Sequence, residues 1–427
     1  MSKLLRVSMN KEINILKQLN EIGNASSFSD ALGQYEDFKS DLKEWRIIYS
    51  HESADGPFYL PKKELSPKCY LLKPFKGNSI FVIDKEVIET KGITEHFIST
   101  AIYVDSNTAS YIRSFAYEAE PSERVFQICS SISKNISQDS VNTLNMALYL
   151  SEIENNLKET NINKVRETVS SLKSISMVNS QFDSSWRDLF IRKYKAAAER
   201  EADNLLFDYY NKDGSPFGQF SKIVDLMELL LLKVKIIEYS SKRSSENKLL
   251  ELLSVIDKEI SIFMPKEIAV CVDILFYKNK LKITRKLNGL TNIPEPLQLV
   301  RNCAMDLFMA RMLDLLTNTI GDKNNTQFHL AQILTCDVDV WDILNLTGLS
   351  AIAVHRESHK MLPIYSDDFT RWIFDTLGDK KLESISRMFT PQGMVERKKR
   401  RSHNKIQDSL HRSRQELVQI LISKRKI

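Results

Sequence analysis

Residues 101–112 read AIYVDSNTASYI. Ala101, Ile102, Tyr103 and Val104 make the short apolar run of a buried strand. The run breaks at Asp105, Ser106, Asn107 and Thr108, and such side chains cap free backbone N–H groups at turns and helix starts. The pattern is a buried strand that ends in a carboxylate and turns at once into a helix. In open α/β sheets ligands bind just beyond the carboxyl ends of the strands, so Asp105 is a candidate metal ligand. The plainer alternative is a strand-end Asp that only caps the next helix.

A second stretch repeats the pattern. Residues 330–340 read LAQILTCDVDV, where an apolar run ends in Thr335, Cys336 and Asp337, and Asp339 follows two residues later. Upstream, residues 299–316 read LVRNCAMDLFMARMLDLL. Val300, Cys303, Ala304, Leu307, Phe308, Met312, Leu315 and Leu316 recur at helical spacing, and Met305, Met309, Ala310 and Leu313 extend the apolar surface around the turn. A helix apolar on nearly every side is a buried helix. Asp306 lies inside it, where an unpaired charge is costly and needs a cation, a hydrogen-bond partner or a proton. A metal shared with Asp105 and Asp337 is one economical solution.

The order of these motifs resembles the PIN-like nuclease superfamily, in an expanded form of the VapC-type domain. That family carries a strand ending in Asp-Ser/Thr-Asn, a helical Glu, a helical Asp and a strand ending in Thr-x-Asp. The matching residues are VDSN at 104–107, MDLFMAR at 305–311 and TCD at 335–337. The resemblance implies that Asp105, Asp306 and Asp337 are the first, third and fourth catalytic acids. The second acid is open between Glu152, in NMALYLSEIENN, and Glu267, in MPKEIAV, with Glu152 preferred. About two hundred residues separate the first and third acids, far more than in compact PIN domains, so a large helical insertion is expected. The likeness covers about 100 to 110 residues directly, and its specificity lies in the order of short motifs. It implies an α/β fold with a three-layer core around a central parallel sheet.

The residue types suit phosphodiester hydrolysis. Clustered carboxylates repel one another, and a hard divalent cation such as Mg²⁺ or Mn²⁺ relieves the repulsion while binding phosphate and water. Such an ion activates a water for in-line attack. On this reading Asp105, Asp306 and Asp337 hold metal and Glu152, or Glu267, orients the nucleophile. Asn107 and Thr335 hold the carboxylates in place, and Asp339 is an alternative acid.

The apolar fraction of 42%, with 12 Gly and 11 Pro, fits an ordered helix-rich protein of two or three domains. The N-terminal residues lack the apolar core of a signal peptide, and the longest apolar stretch, around 226–232, is interrupted by Glu228. A cytoplasmic protein without a membrane span is expected. The five cysteines form no CxxC pair, so buried free thiols are expected rather than a disulfide framework or zinc site. No GxxxxGK or GxGxxG loop supports nucleotide binding. The net charge of +5 hides an asymmetry: residues 396–427 hold eleven basic and three acidic residues, a surplus of +8 that leaves −3 for the rest. The run Arg397, Lys398, Lys399, Arg400 and Arg401 reads either as a nucleic-acid-binding tail, gaining affinity by counterion release, or as a solvated helix. Leu410, Leu417, Val418, Ile420, Leu421 and Ile422 would let part of the tail dock as an amphipathic helix.

The expected organisation is an N-terminal accessory α+β module over 1–98, a PIN-like core over 99–375 with its insertion at about 158–298, and a basic helical tail over 376–427. Within the first, NSIFVID at 78–84 reads as a strand; SAIAVHR at 350–356 reads as another late in the core. A turn is expected at 211–214. The leading function is a metal-dependent endonuclease acting on RNA ahead of single-stranded DNA, in the setting of a toxin or phage-defence effector. A homo-oligomer or a regulatory partner is left open. The competing reading is a non-catalytic helical adaptor that binds nucleic acid or protein. Convergence of Asp105, Asp306 and Asp337 would favour the enzyme; scattering, or capture by Lys or Arg, would favour the adaptor.

Overall fold

The computed structural model describes residues 3–53, 55–91, 94–153, 161–178, 180–210, 217–277, 280–318 and 328–425. The insertion start near 158 and the turn at 211–214 lie outside the described residues. Among the described residues nine strands form two sheets. They are β1 (Trp45–His51), β2 (Phe58–Tyr59), β3 (Lys63–Ser66), β4 (Cys69–Leu72), β5 (Ser79–Ile83), β6 (Ile98–Val104), β7 (Phe328–Thr335), β8 (Leu349–His355) and β9 (Met361–Tyr365).

The sheet that positions the acids has the order β3-β4-β7-β6. β6 and β7 run parallel in register from Ile98 opposite Phe328 to Val104 opposite Leu334. Their last residues are therefore side by side, and Asp105 and Asp337 emerge from the same end of the sheet. The expected central parallel sheet forms only in part. β4 pairs with β7 antiparallel, and β3 with β4 antiparallel. A parallel pair needs a long crossover, and only β6 and β7 are joined by one; β3 and β4 are joined by a tight turn that forces opposite directions.

Strand alternation splits the helices into two layers. Leu71, Ile102, Val104 and Leu334 face one way, onto the helices Ser106–Tyr117, Glu123–Asn135 and Ile162–Met177. Tyr70, Leu72, Tyr103 and Ile333 face the other way, into a larger core that includes the helices Phe217–Ser240 and Pro296–Leu316. The small sheet is thus covered by helices on both faces, and those helices come largely from the chain between Asp105 and β7.

The second sheet is antiparallel, in the order β2-β5-β1-β8-β9. The strands read at NSIFVID and SAIAVHR are its β5 and β8. β1 bonds β5 along one edge and β8 along the other, so the backbone groups of an N-terminal strand are satisfied by residues three hundred positions later. Both sheets therefore take strands from either side of the boundary expected at residue 98, since β4 also pairs with β7 in the first one. The boundary expected at 376 falls within the helix Asp368–Leu382, which is kinked at Gly378, where φ is +66°. Glycine enters that left-handed region without a Cβ clash.

The C-terminal helix His403–Arg425 packs along Phe217–Ser240, burying Leu410, Leu417 and Leu421. Glu228 lies almost fully buried beneath it and accepts from Arg414 Nε at 2.6 Å and from Arg301 Nη1 at 2.9 Å. Among the described residues no helix is long and apolar enough to cross a membrane.

Candidate metal centre

Four elements bring the acids together. Asp105 follows β6 and caps the helix Ser106–Tyr117, accepting the Thr108 N–H on Oδ1 at 2.7 Å. Its Oδ2 accepts the Thr335 hydroxyl at 2.5 Å. The same Thr335 oxygen accepts the Asp337 N–H at 2.9 Å. Asp337 in turn caps the helix Val338–Leu346 through the Asp339 N–H at 2.8 Å, and its Oδ2 accepts from Asn107 Nδ2 at 3.1 Å. Both strand-end aspartates thus do what the plainer reading assigned them, capping helices, and do it around one point in space. Thr335 and Asn107 tie the two motifs together as expected.

Glu152 arrives from the side. Asn145 bonds both Ile102 O and the Val104 N–H, covering the outer edge of β6, and its side chain accepts the Ala147 N–H at 2.9 Å. That starts the helix Ala147–Ile153, which carries Glu152 to the Ser106 hydroxyl at 2.7 Å and the Ser106 N–H at 3.2 Å. Asp306 comes from the long helix Pro296–Leu316.

Oxygens of Asp306, Asp337 and Asp339 lie within 4.8 Å of one another. The tightest triad therefore differs from the one expected. Asp339 belongs to it, because two residues along a helical turn keep it beside Asp337. Asp105 is not part of it; its two oxygens accept from Thr108 and Thr335. Asp339 is fully buried, and its Oδ1 has no hydrogen-bond partner. An orphaned buried carboxylate oxygen in an all-oxygen donor set is what a hard divalent cation fits.

The electrostatics reflect crowding. Burial pushes the Asp105 carboxyl up to about 6, against the hydrogen bonds from Thr335 and Thr108, and Asp337 adds to the rise. Burial likewise pushes Glu152 up to about 7, helped by Asp105 and Asp337 and opposed by Ser106. Asp306 is raised well above the ordinary carboxylate range by burial; Lys286 opposes the rise, while Asp337, Asp339 and Glu152 reinforce it. Each carboxyl resists its own charge chiefly because it is buried, and its charged neighbours add to the effect.

Two residues that the sequence reading missed complete the site. The short helix Lys282–Asn288 places Lys282 and Lys286 on one face, four residues apart. Lys286 Nζ bonds Asp339 and lies 3.4 Å from Asp306, while Lys282 Nζ lies 3.5 Å from Asp337 and 3.8 Å from Asp339. Burial lowers the Lys286 pKa, but Asp306 and Asp339 outweigh it and the amine is raised overall. Only the four-residue spacing of the two lysines in the sequence pointed to them.

Glu267 lies elsewhere. Its buried carboxylate is held by Arg311, with Nε to Oε1 at 2.9 Å, in an ionic cluster with Asp314 and Lys266. A carboxylate so paired is already neutralised, and Glu152 is the acid that joins Asp105. Of the basic run only Arg397 is buried in the fold; Lys398, Lys399, Arg400 and Arg401 stay exposed, several of them with partners. Arg397 is buried and donates to Met388 O at 2.6 Å and to Asp257 at 3.2 Å; Arg400 joins it on Asp257. Lys398 bonds Glu12 at 3.1 Å and Arg401 reaches Ser261 O at 3.3 Å.

Comparison with protein-family models, with curated proteins and with solved structures returns no match.

Proposed function

We propose that this protein is a metal-dependent nuclease of PIN-like type, cutting phosphodiester bonds in RNA ahead of single-stranded DNA. The single observation that carries the reading is the meeting of five carboxylates, Asp105, Glu152, Asp306, Asp337 and Asp339, at the carboxyl end of the one parallel strand pair. That placement, with a helix starting at each strand end, supports the PIN-like reading; the antiparallel β3 and β4 depart from it. Asp306, Asp337 and Asp339 would hold Mg²⁺ or Mn²⁺, which when bound supplies an activated water and charge relief on the phosphate. Glu152, with a carboxyl poised near neutrality, can hold or release a proton beside the cluster. Asp105, fixed by Thr335 and Thr108, keeps the field negative and the Thr335–Asp337 segment in place. A toxin or defence effector is the setting we favour.

One observation supports the non-catalytic adaptor instead: Lys282 and Lys286 already sit on the acids. The count of charges favours the nuclease. Two ammonium groups face five carboxylates, a surplus of acids that a divalent cation would relieve.

The test is incubation of purified protein with labelled RNA and single-stranded DNA in Mn²⁺, Mg²⁺ or EDTA. Cleavage is expected with either metal, and none in EDTA or with Asp337→Asn. Cleavage by Asp337→Asn equal to wild type would remove the site from the reaction. Absence of cleavage together with no Mn²⁺ binding would favour the adaptor.

A further inference from the structure

Cys69 and Cys336 take no part in the chemistry proposed above. Cys69 begins β4, and Cys336 directly follows the last residue of β7. The antiparallel register Leu72–Ile333, Leu71–Leu334 and Tyr70–Thr335 carries on to set Cys69 opposite Cys336. Both side chains lie on the sheet face shared with Leu71 and Leu334. Residues directly opposed on antiparallel strands have Cα atoms about 4.5 to 5.5 Å apart, inside the range of about 4.4 to 6.8 Å that a disulfide spans. Cys69 is fully buried, whereas Cys336 is partly exposed, so a small oxidant has one sulfur to meet and a second waiting behind it.

We propose that Cys69 and Cys336 are a modification site, a thiol pair that closes reversibly to a cross-strand disulfide under a peroxide. The partly exposed Cys336 sulfur takes an oxygen from hydrogen peroxide, giving a sulfenic acid and one water. The Cys69 sulfur then displaces the hydroxyl as a second water, and the S–S bond forms. Two S–H bonds are lost, and the two electrons go to the peroxide. The bond ties β4 to β7 one residue before Asp337. It pins the segment whose Thr335 hydroxyl and Asp337 amide organise the acids. The inference stands apart from the nuclease reading, because it is read by mass and by amide exchange.

The experiment treats the full chain with hydrogen peroxide, alkylates the remaining thiols and maps peptides without reduction. One disulfide joining Cys69 and Cys336 is expected, with loss of two hydrogens, three alkylated thiols and reversal by dithiothreitol. Amide hydrogen exchange over residues 330–340 is expected to slow on oxidation and to recover on reduction. Neither change is expected in Cys69→Ser or in Cys336→Ser, the latter a milder change at a partly exposed position. Five free thiols after treatment, a Cys69–Cys129 link, or a sulfinic acid at Cys336 would overturn the pairing. Unchanged exchange over 330–340 in the disulfide form would overturn the pinning.

Discussion

The Thr335 hydroxyl donates to Asp105 across 230 residues of sequence, at 2.5 Å, at the point where β6 and β7 end side by side. One oxygen thus joins the first and last acidic motifs, since it also accepts the Asp337 N–H. Replacing it leaves a buried carboxylate and a buried amide each short of a partner. Thr335→Val is expected to destabilise the protein by about 2 kcal/mol in urea denaturation, while Thr335→Ser stays within about 1 kcal/mol of wild type.

The raised carboxyls predict a pH dependence. Burial lifts Asp105 from 3.8 to about 6 and Glu152 from 4.5 to about 7. Between roughly pH 4 and 7 the folded protein therefore binds more protons at these groups than the unfolded chain does. Their contribution favours folding at the acid end of that window and is lost as pH rises through it. In EDTA, wild type should lose up to about 3 kcal/mol relative to Glu152→Gln across the window, measured by denaturation at stepped pH. A constant difference between the two proteins would show that Glu152 does not titrate there.

Lys286 is the internal counter-ion of Asp306 and Asp339. Lys286→Met is expected to cost about 1 to 3 kcal/mol without divalent cation, the figure for a broken buried pair reduced for its partial exposure. Addition of Mn²⁺ should restore most of the loss, because the ion replaces the missing charge. Denaturation with and without MnCl₂ checks both halves.

Glu228 anchors the C-terminal helix through Arg414 and joins it to Arg301. Glu228→Ala leaves Arg301 with Asp225 alone and takes from Arg414 its carboxylate. A loss of about 1 to 3 kcal/mol is expected, the figure for a broken buried pair reduced for the partial exposure of Arg414, together with early proteolytic cutting within residues 403–425.

Several of these relationships were readable from the chain and others were not. Asp105 and Asp337 announced themselves because an apolar run breaking into a capping residue marks a strand end, and that signal is local. Asp306 was readable because a carboxylate on an apolar helix demands a partner. Strand direction was not readable: the period of two that marks Tyr70 and Leu72 as one face says nothing of whether β4 runs with or against β7. Lys282 and Lys286 were hidden because lysines four apart on a short helix look like a solvated face unless the acids above them are known. Arg397 was misleading for the same reason, since a basic run carries no mark of the Asp257 and Met388 oxygens that bury it. That Asp339 rather than Asp105 belongs to the tight triad is a matter of where the side chains sit, which only the tertiary arrangement fixes.

The pairing of β6 with β7 also governs timing. A chain leaving the ribosome carries Asp105 long before the residues that place Asp337 beside it, and closing so long a loop is slow. During synthesis the first acid waits as an ordinary helix cap, and the full set of carboxylates exists only once most of the polypeptide has been made and folded. A copy cut short before β7 lacks the assembled cluster.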